Sequence, residues 1–189
     1  MSNVAHKDPS EDNIKSDGPS LPVALGWNSG KVFRLAENVA KQVEYNPGDD
    51  IKALVERLGG RVSYSSLDQE LSNSGSIDIR DNKFDIFLAL DTSNLRDRFT
   101  MAHELGHWVL HYLYRNQKLG ENIKWLRADR YGGDQAEREA NWFAAAFLMP
   151  AEDFEKKFEE LKGDILQLSS LFKVSAHAAE IRARALELK

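Results

Sequence analysis

The chain has 189 residues, of which 42% are hydrophobic and 29% are charged, and its formal net charge is -5. This length predicts one domain with appendages, and a domain of about 150 residues can bury roughly 70% of the surface that its unfolded chain exposes. The mild acidity argues against broad, non-specific nucleic-acid binding. The absence of cysteine excludes thiol catalysis, disulfides and cysteine-ligated zinc.

The N-terminal part is polar and has few large apolar side chains, so residues 1–27 are predicted to be a disordered or linker tail. Residues 21–27 are more apolar and can dock on the rest of the protein. The sequence has no apolar run long enough for a membrane span and no signal-peptide core. We therefore expect a cytoplasmic protein without a membrane partner.

Two helices are predicted after this tail. Residues 31–45 carry apolar side chains at helical spacing, and an Asn-Pro-Gly sequence ends the helix. Asp49 or Asp50 then caps a second helix over residues 51–58.

Three short strands are predicted next. Residues 61–65 form the first, and residues 75–80 alternate apolar and polar side chains as a half-exposed strand does. Asp81 and Asn82 indicate a hairpin turn, so that residues 84–90 pair back as a more buried strand.

A long helix follows over residues 94–114, capped by Ser93 or Asn94. Its apolar residues form a core face, and His103 and His107 fall on a flank of that face. A strand edge beside this helix can hold an extended peptide through backbone hydrogen bonds, although strands of a small sheet need no such role.

The helix contains His-Glu-x-x-His, formed by His103, Glu104 and His107. Positions i and i+4 share a helix face, so both imidazoles can reach one zinc ion, while Glu104 can reach a water on the metal without being a ligand. Two histidines on an ordinary amphipathic helix are the alternative. The well-specified helix and the position of the histidines favour metal-assisted peptide hydrolysis.

The rest of the chain is predicted to be helical after one long loop. Residues 115–133 are polar and irregular, with Trp125 and Tyr131 as their main apolar anchors. A helix over residues 135–148 ends before Pro150.

An amphipathic helix covers residues 151–161, and residues 164–189 form two helices reminiscent of a helix-turn-helix. Packing as a small helical subdomain is the favoured interpretation, because Arg182 and Arg184 are accompanied by acidic residues. The predicted fold class is α+β, with a small antiparallel or mixed sheet packed on helices. We expect a zincin-like metallopeptidase domain over residues 28–150 and a helical C-terminal subdomain, possibly helix-turn-helix-like in form, over residues 151–189.

A catalytic zinc site usually has three protein ligands, so a third is needed. Leu110 and Leu113 occupy the positions where a metzincin-type extension requires Gly and His. His111 cannot easily join both other histidines on one ion and is interpreted as a core histidine or a support for a ligand. Glu137 and Glu139 are the remaining candidates, and helix faces alone leave the choice between them open.

Two segments of the chain together resemble the ImmA/IrrE family of metallopeptidases. They are Arg-Phe-Thr-Met-Ala-His-Glu-Leu-Gly-His over residues 98–107 and Glu-x-x-Ala-Asn-x-Phe-Ala-Ala-x-x-Leu-Met-Pro over residues 137–150. The resemblance covers about residues 51–150 and, more loosely, the helical tail. It implies a zinc-dependent endopeptidase with a minimal thermolysin-like core, and it favours Glu137 over Glu139 as the third ligand. Mn²⁺ and Fe²⁺ are alternatives to Zn²⁺.

The resemblance also implies a partner, because the substrate class of the family is a helix-turn-helix repressor of the Xre type. Cleavage would release genes of mobile elements, prophages or stress responses, and some relatives are linked to toxin–antitoxin loci. In the implied mechanism Glu104 accepts the proton of the attacking water and delivers it to the leaving amine. Tyr114, Tyr131 and His177 are candidates for the oxyanion donor, although each also fits a structural role.

Two other functions fit the sequence. The protein can be a module that binds a repressor or toxin without cutting it, with zinc as a structural clamp. It can also be a DNA-binding regulator acting through residues 164–189, although its acidic balance makes direct nucleic-acid binding unexpected.

Overall fold

The computed structural model describes residues 18–65, 75–129 and 135–189. The described elements before the histidine helix are α1 (Ser29–Gln42), α2 (Ile51–Arg57), β1 (Gly60–Ser65), β2 (Ser76–Arg80) and β3 (Lys83–Ala89). The remaining elements are α3 (Asn94–Gly106), a π-helix (His107–Tyr114), α4 (Arg115–Lys118), β4 (Trp125–Asp129), α5 (Gln135–Leu148), α6 (Ala151–Glu160), α7 (Ile165–Phe172) and α8 (Ala176–Ala185). The predicted α+β class is confirmed.

Side-chain caps explain where α2 and α3 begin. The side chain of Asp50 accepts hydrogen bonds from the backbone N–H groups of Lys52 and Ala53, and Ser93 accepts one from Arg96. These side chains satisfy amide groups that have no partner within the first turn of a helix. Both caps were among the predicted alternatives.

The sheet is mixed, with the strand order β1-β3-β2-β4 among the described residues. β1 runs parallel to β3, whereas β2 is antiparallel to both β3 and β4. Asp81 and Asn82 form the β2–β3 turn with φ of 47° and 67°, as a tight hairpin requires. β2 and β3 each have a strand on both sides, so the edge strands of the described sheet are β1 and β4. The binding of an extended peptide at a strand edge stays a prediction.

β4 lies within the stretch predicted to be an irregular loop, so that prediction is wrong for this strand and for α4. Leu126 and Ala128 are buried and lie opposite Ile79 and Ile77 of β2. The strand is only five residues long, and its pairing partner lies far away in the sequence. A local pattern therefore gave little sign of it.

Residues 18–27 lie against the body of the protein. Ser20 forms a parallel bridge to Leu126, donating its N–H to the carbonyl oxygen of Trp125 at 2.9 Å and accepting from Arg127 at 3.0 Å. The expected docking of residues 21–27 is confirmed by two further hydrogen bonds to α5, which involve Leu25 and Trp27. Residues 1–17 lie outside the described part, so their disorder stays a prediction.

α3 packs against both β3 and α5, and its crossing with α5 is unusually close. A Cβ atom added at Gly106 would lie 3.2 Å from the Cα atom of Ala140 and 3.2 Å from the Cβ atom of Phe143. The missing side chain thus lets the two helix backbones approach each other. This contact sets the distance between the side chains that flank it.

The C-terminal helices are tied to the body by a buried arginine on α8. The Arg182 guanidinium donates to the carbonyl oxygen of Met149 at 2.9 Å and to a carboxylate oxygen of Glu37 at 3.0 Å. It also lies over the ring of Phe33, 4.6 Å from the ring centroid. Burial lowers the pKa of Arg182, and the Glu37 carboxylate opposes this shift. Across the described ranges, no helix is both long and apolar enough to span a bilayer.

Candidate metal centre

The two histidines of the motif lie one turn apart on α3 and at the start of the π-helix, and both are fully buried. Their Nε2 atoms are 3.1 Å apart. The i, i+4 spacing therefore aims both rings at the same point, as the sequence predicted.

Glu137 completes this group from α5. Its carboxylate oxygens lie 3.2 Å from His103 Nε2 and 3.0 Å from His107 Nε2, and its side chain is 12% exposed. Burial raises the pKa of Glu137, but the close contacts of its carboxylate with the two imidazoles outweigh burial and hold this pKa well below its usual range. The structure thus brings together both predicted histidine ligands and the favoured glutamate.

This donor set fits a divalent metal ion. Zinc bonds of about 2.0–2.2 Å at tetrahedral angles separate neighbouring ligand atoms by roughly 3.3–3.6 Å. The observed separations of 3.0, 3.1 and 3.2 Å are only slightly shorter. Two imidazoles and one carboxylate are also a common ligand set of catalytic zinc, and they leave a position open for a substrate or water.

Asn141 orients one of the two imidazoles. Its Oδ1 atom lies 3.0 Å from His103 Nδ1, so the Nδ1 atom is the donor and the Nε2 atom keeps its lone pair. Asn141 lies one turn after Glu137 on α5, and the same helix therefore supplies both groups. Sequence reasoning missed this role, although the spacing of four residues from Glu137 was available as a signal.

Glu139, the alternative third ligand, lies outside the group formed by His103, His107 and Glu137. Its carboxylate is fully buried and contacts His111 Nε2 at 3.0 Å. Burial raises the pKa of Glu139, but the hydrogen bonds from His111 and from two backbone N–H groups outweigh burial and lower it. His111 stays outside the group of three, as expected, and its Nδ1 atom lies 3.0 Å from His107 Nδ1.

Glu104 is buried next to His103, with 1% of its surface exposed. The chain entering β2 approaches it closely at Gly75, where an added Cβ atom would lie 3.6 Å from Glu104 Oε1 and only 2.3 Å from the Thr100 side chain. A glycine is therefore needed for the strand to pass here. Glu104 is held beside the metal-binding face without belonging to the three-residue group.

The candidates for the oxyanion donor receive little support. Tyr114 packs edge-on against Trp27, with the ring centroids 4.8 Å apart. His177 is exposed on α8, where it lines a cavity of about 810 Å³ between α1, α3, α5 and α8. Tyr131 lies outside the described residues. The oxyanion role of all three stays a prediction.

These features define a metallopeptidase-like domain, and comparison with known proteins agrees. The family model Peptidase_M78, described as the IrrE N-terminal-like domain, matches residues 55–184, and the chain therefore belongs to this family. No curated protein matches the sequence.

One similar solved structure is a transcriptional regulator of Mycobacterium tuberculosis. It is 18% identical with a TM-score of 0.57, and the match covers 79% of this chain and 45% of that protein. The chain thus spans less than half the length of that regulator. At this identity the likeness supports the fold alone.

Proposed function

We propose that this protein is a metal-dependent endopeptidase that holds its ion on His103, His107 and Glu137. The observation that carries the proposal is the convergence of two buried imidazoles and one partly buried carboxylate, whose nitrogen and oxygen atoms lie 3.0 to 3.2 Å from one another. Zn²⁺ is the metal that best suits two imidazoles and one carboxylate, and Mn²⁺ or Fe²⁺ are alternatives.

When bound, the ion supplies Lewis-acid chemistry, which makes water more acidic and polarises a peptide carbonyl. Glu104 accepts the proton of the attacking water and donates it to the leaving nitrogen of the cleaved bond. The burial of Glu104 beside His103 suits this task. A carboxylate shielded from bulk water exchanges its proton with the attacking water and the leaving nitrogen, and not with the solvent. Asn141 holds the His103 ring in place throughout.

We further propose that the substrate is a helix-turn-helix repressor of the Xre type, whose cleavage releases mobile-element, prophage or stress genes. Membership of the Peptidase_M78 family supports a peptidase, and the resemblance of residues 98–107 and 137–150 to ImmA/IrrE enzymes supports this substrate class. The proposed location is the cytoplasm, where such a repressor acts.

The test is co-expression with a helix-turn-helix repressor encoded next to this chain. The repressor would be produced alone, with the wild-type protein, with Glu104→Gln and with Glu160→Gln, a control at an exposed position of α6. We expect a repressor fragment, detected by intact mass, with wild type and control only. Glu104→Gln should still bind metal, because Glu104 is outside the ligand set. A Glu104→Gln protein that cleaves at the wild-type rate would exclude the assigned mechanism.

The competing functions give different results in the same experiment. An intact repressor that co-purifies equally with wild type and Glu104→Gln would favour a binding module. DNA binding through α8 has little support, because Arg182 is buried and Arg184 pairs with Glu180 at 2.8 Å. Salt-dependent retention on DNA would nevertheless favour it.

A further inference from the structure

A row of buried hydrogen bonds leads from the metal centre to the N-terminal segment of residues 25–27. It starts at His107 Nδ1, which lies 3.0 Å from His111 Nδ1, and continues from His111 Nε2 to Glu139 Oε2 at 3.0 Å. Glu139 then accepts the backbone N–H of Leu25 and of Trp27, both at 2.9 Å. His107, His111 and Glu139 are all fully buried, so water does not compete for these bonds.

The chemistry of the row fixes where each proton lies. Glu139 receives two backbone N–H groups, so it acts as an acceptor, and His111 Nε2 must carry the hydrogen that faces it. A neutral imidazole has one N–H, which leaves His111 Nδ1 as an acceptor. The hydrogen between the two Nδ1 atoms therefore belongs to His107. The Nε2 atom of His107 is left with a lone pair pointing at Glu137.

The helix geometry brings this row into line. His107 and His111 both lie in the π-helix. Because hydrogen bonds in a π-helix span five residues, its turn is wider than that of an α-helix, and residues four positions apart still lie on the same side of the helix. The ring of His111 can thus meet His107 on the side away from the metal-binding face.

We propose that His111, Glu139 and the backbone of residues 25–27 are positioning groups that hold His107 in its metal-binding tautomer. This inference rests on the proposed function, since it assigns a task to groups behind one ligand of the metal centre. The N-terminal segment is then part of the centre, although it lies more than 100 residues from α5 in the sequence. Trp27 stabilises the segment through its ring contact with Tyr114.

The test compares two variants at the same position. In His111→Gln the amide can still accept from His107 and donate to Glu139, whereas His111→Leu fills a similar volume and can do neither. We expect His111→Leu to bind Zn²⁺ about 10–100-fold more weakly than wild type in a competition titration, as is usual when a partner of a ligating histidine is lost. His111→Gln should recover most of the affinity. Glu139→Gln should weaken binding, and Glu160→Gln is its exposed control.

A second measurement separates positioning from simple structural damage. Nitrogen-15 chemical shifts of His107 in the metal-free, folded protein report which ring nitrogen carries hydrogen. We expect hydrogen on Nδ1 in wild type and His111→Gln, and a mixture of tautomers in His111→Leu and Glu139→Gln. Leu25→Pro removes one of the two backbone N–H donors to Glu139, and we expect it to give a mixture of His107 tautomers as well.

Unchanged Zn²⁺ affinity and an unchanged His107 tautomer in folded His111→Leu and Glu139→Gln would overturn the proposal. An unchanged His107 tautomer in Leu25→Pro would show that the N-terminal segment does not help to position His107. Neither measurement requires hydrolysis. A protein that shows the expected affinity and tautomer changes but cleaves no repressor would therefore contradict the proposed function and leave this inference standing.

Discussion

At the scale of single residues, the centre depends on groups that fix the two imidazoles as much as on the ligands themselves. Each histidine uses Nε2 towards Glu137 and has a distinct partner behind its Nδ1 atom, Asn141 for His103 and His111 for His107. Ligands held in this way lose less conformational freedom when an ion binds. The two partners differ in kind, because only His111 is itself held by a charged side chain.

Substitutions at Asn141 should separate hydrogen bonding from simple space filling. Asn141→Leu removes the acceptor for His103 Nδ1, and we expect Zn²⁺ affinity to fall about 10–100-fold. Asn141→Asp keeps an acceptor at the same place and should bind Zn²⁺ at least as tightly as wild type. Competition titrations with a chromophoric chelator measure both. Equal affinity of the Leu and Asp variants would show that the bond to His103 does not matter.

At the scale of elements, the crossing of α3 and α5 determines which glutamate reaches the metal centre. Glu137 and Glu139 flank the buried face of α5 that Ala140 places against Gly106. One carboxylate therefore meets the histidines of the motif, and the other meets His111. The sequence alone left the choice between Glu137 and Glu139 open. Residues two apart on a helix point to opposite flanks, and which flank faces the histidines depends on where the two helices cross, which is a tertiary contact.

Gly106→Val should displace the carboxylates of both Glu137 and Glu139. The added side chain would push Ala140 and Phe143 away, and overpacking of this kind costs about 1–3 kcal/mol of unfolding free energy. We also expect weaker Zn²⁺ binding, since Glu137 moves with α5. Gly30→Val is the control, because the nearest atoms to an added Cβ there lie 3.8 Å away. Urea unfolding and metal titration would be measured on both; a stable Gly106→Val protein with normal affinity would contradict the role of this crossing.

The elements that the sequence predicted are those with local signals. Asp50 and Ser93 mark helix starts through their side chains, and Asp81 and Asn82 mark a turn through their backbone preference. β4 was missed because its pairing with β2 joins distant parts of the chain. The π-helical winding after Gly106 also has no signal in the apolar spacing. The sequence offered His111 as a core histidine or a support for a ligand, and its contact with His107 agrees with the second role.

At the scale of the whole molecule, the metal should act as a fold-stabilising ligand, since its ligands come from two separate helices that must pack first. A ligand present at about 100 times its dissociation constant adds about 2.7 kcal/mol of stability. For a protein of this size, that corresponds to a rise in Tm of about 5–10 °C. Calorimetry with excess Zn²⁺ and with a chelator would measure the difference. Glu137→Gln should lose most of this rise, and an unchanged Tm in wild type would argue against a metal centre here.

The buried guanidinium of Arg182 has a consequence for how the molecule comes apart. It joins α8 to the carbonyl of Met149 at the end of α5 and to Glu37 on α1. Detaching α8 would break these hydrogen bonds and expose the apolar surface around the Phe33 ring to water, so we expect α8 to stay attached while the rest of the core is intact. We expect the last two helices and the rest of the described fold to belong to one cooperative unfolding unit, so that their backbone amides are protected from hydrogen exchange together.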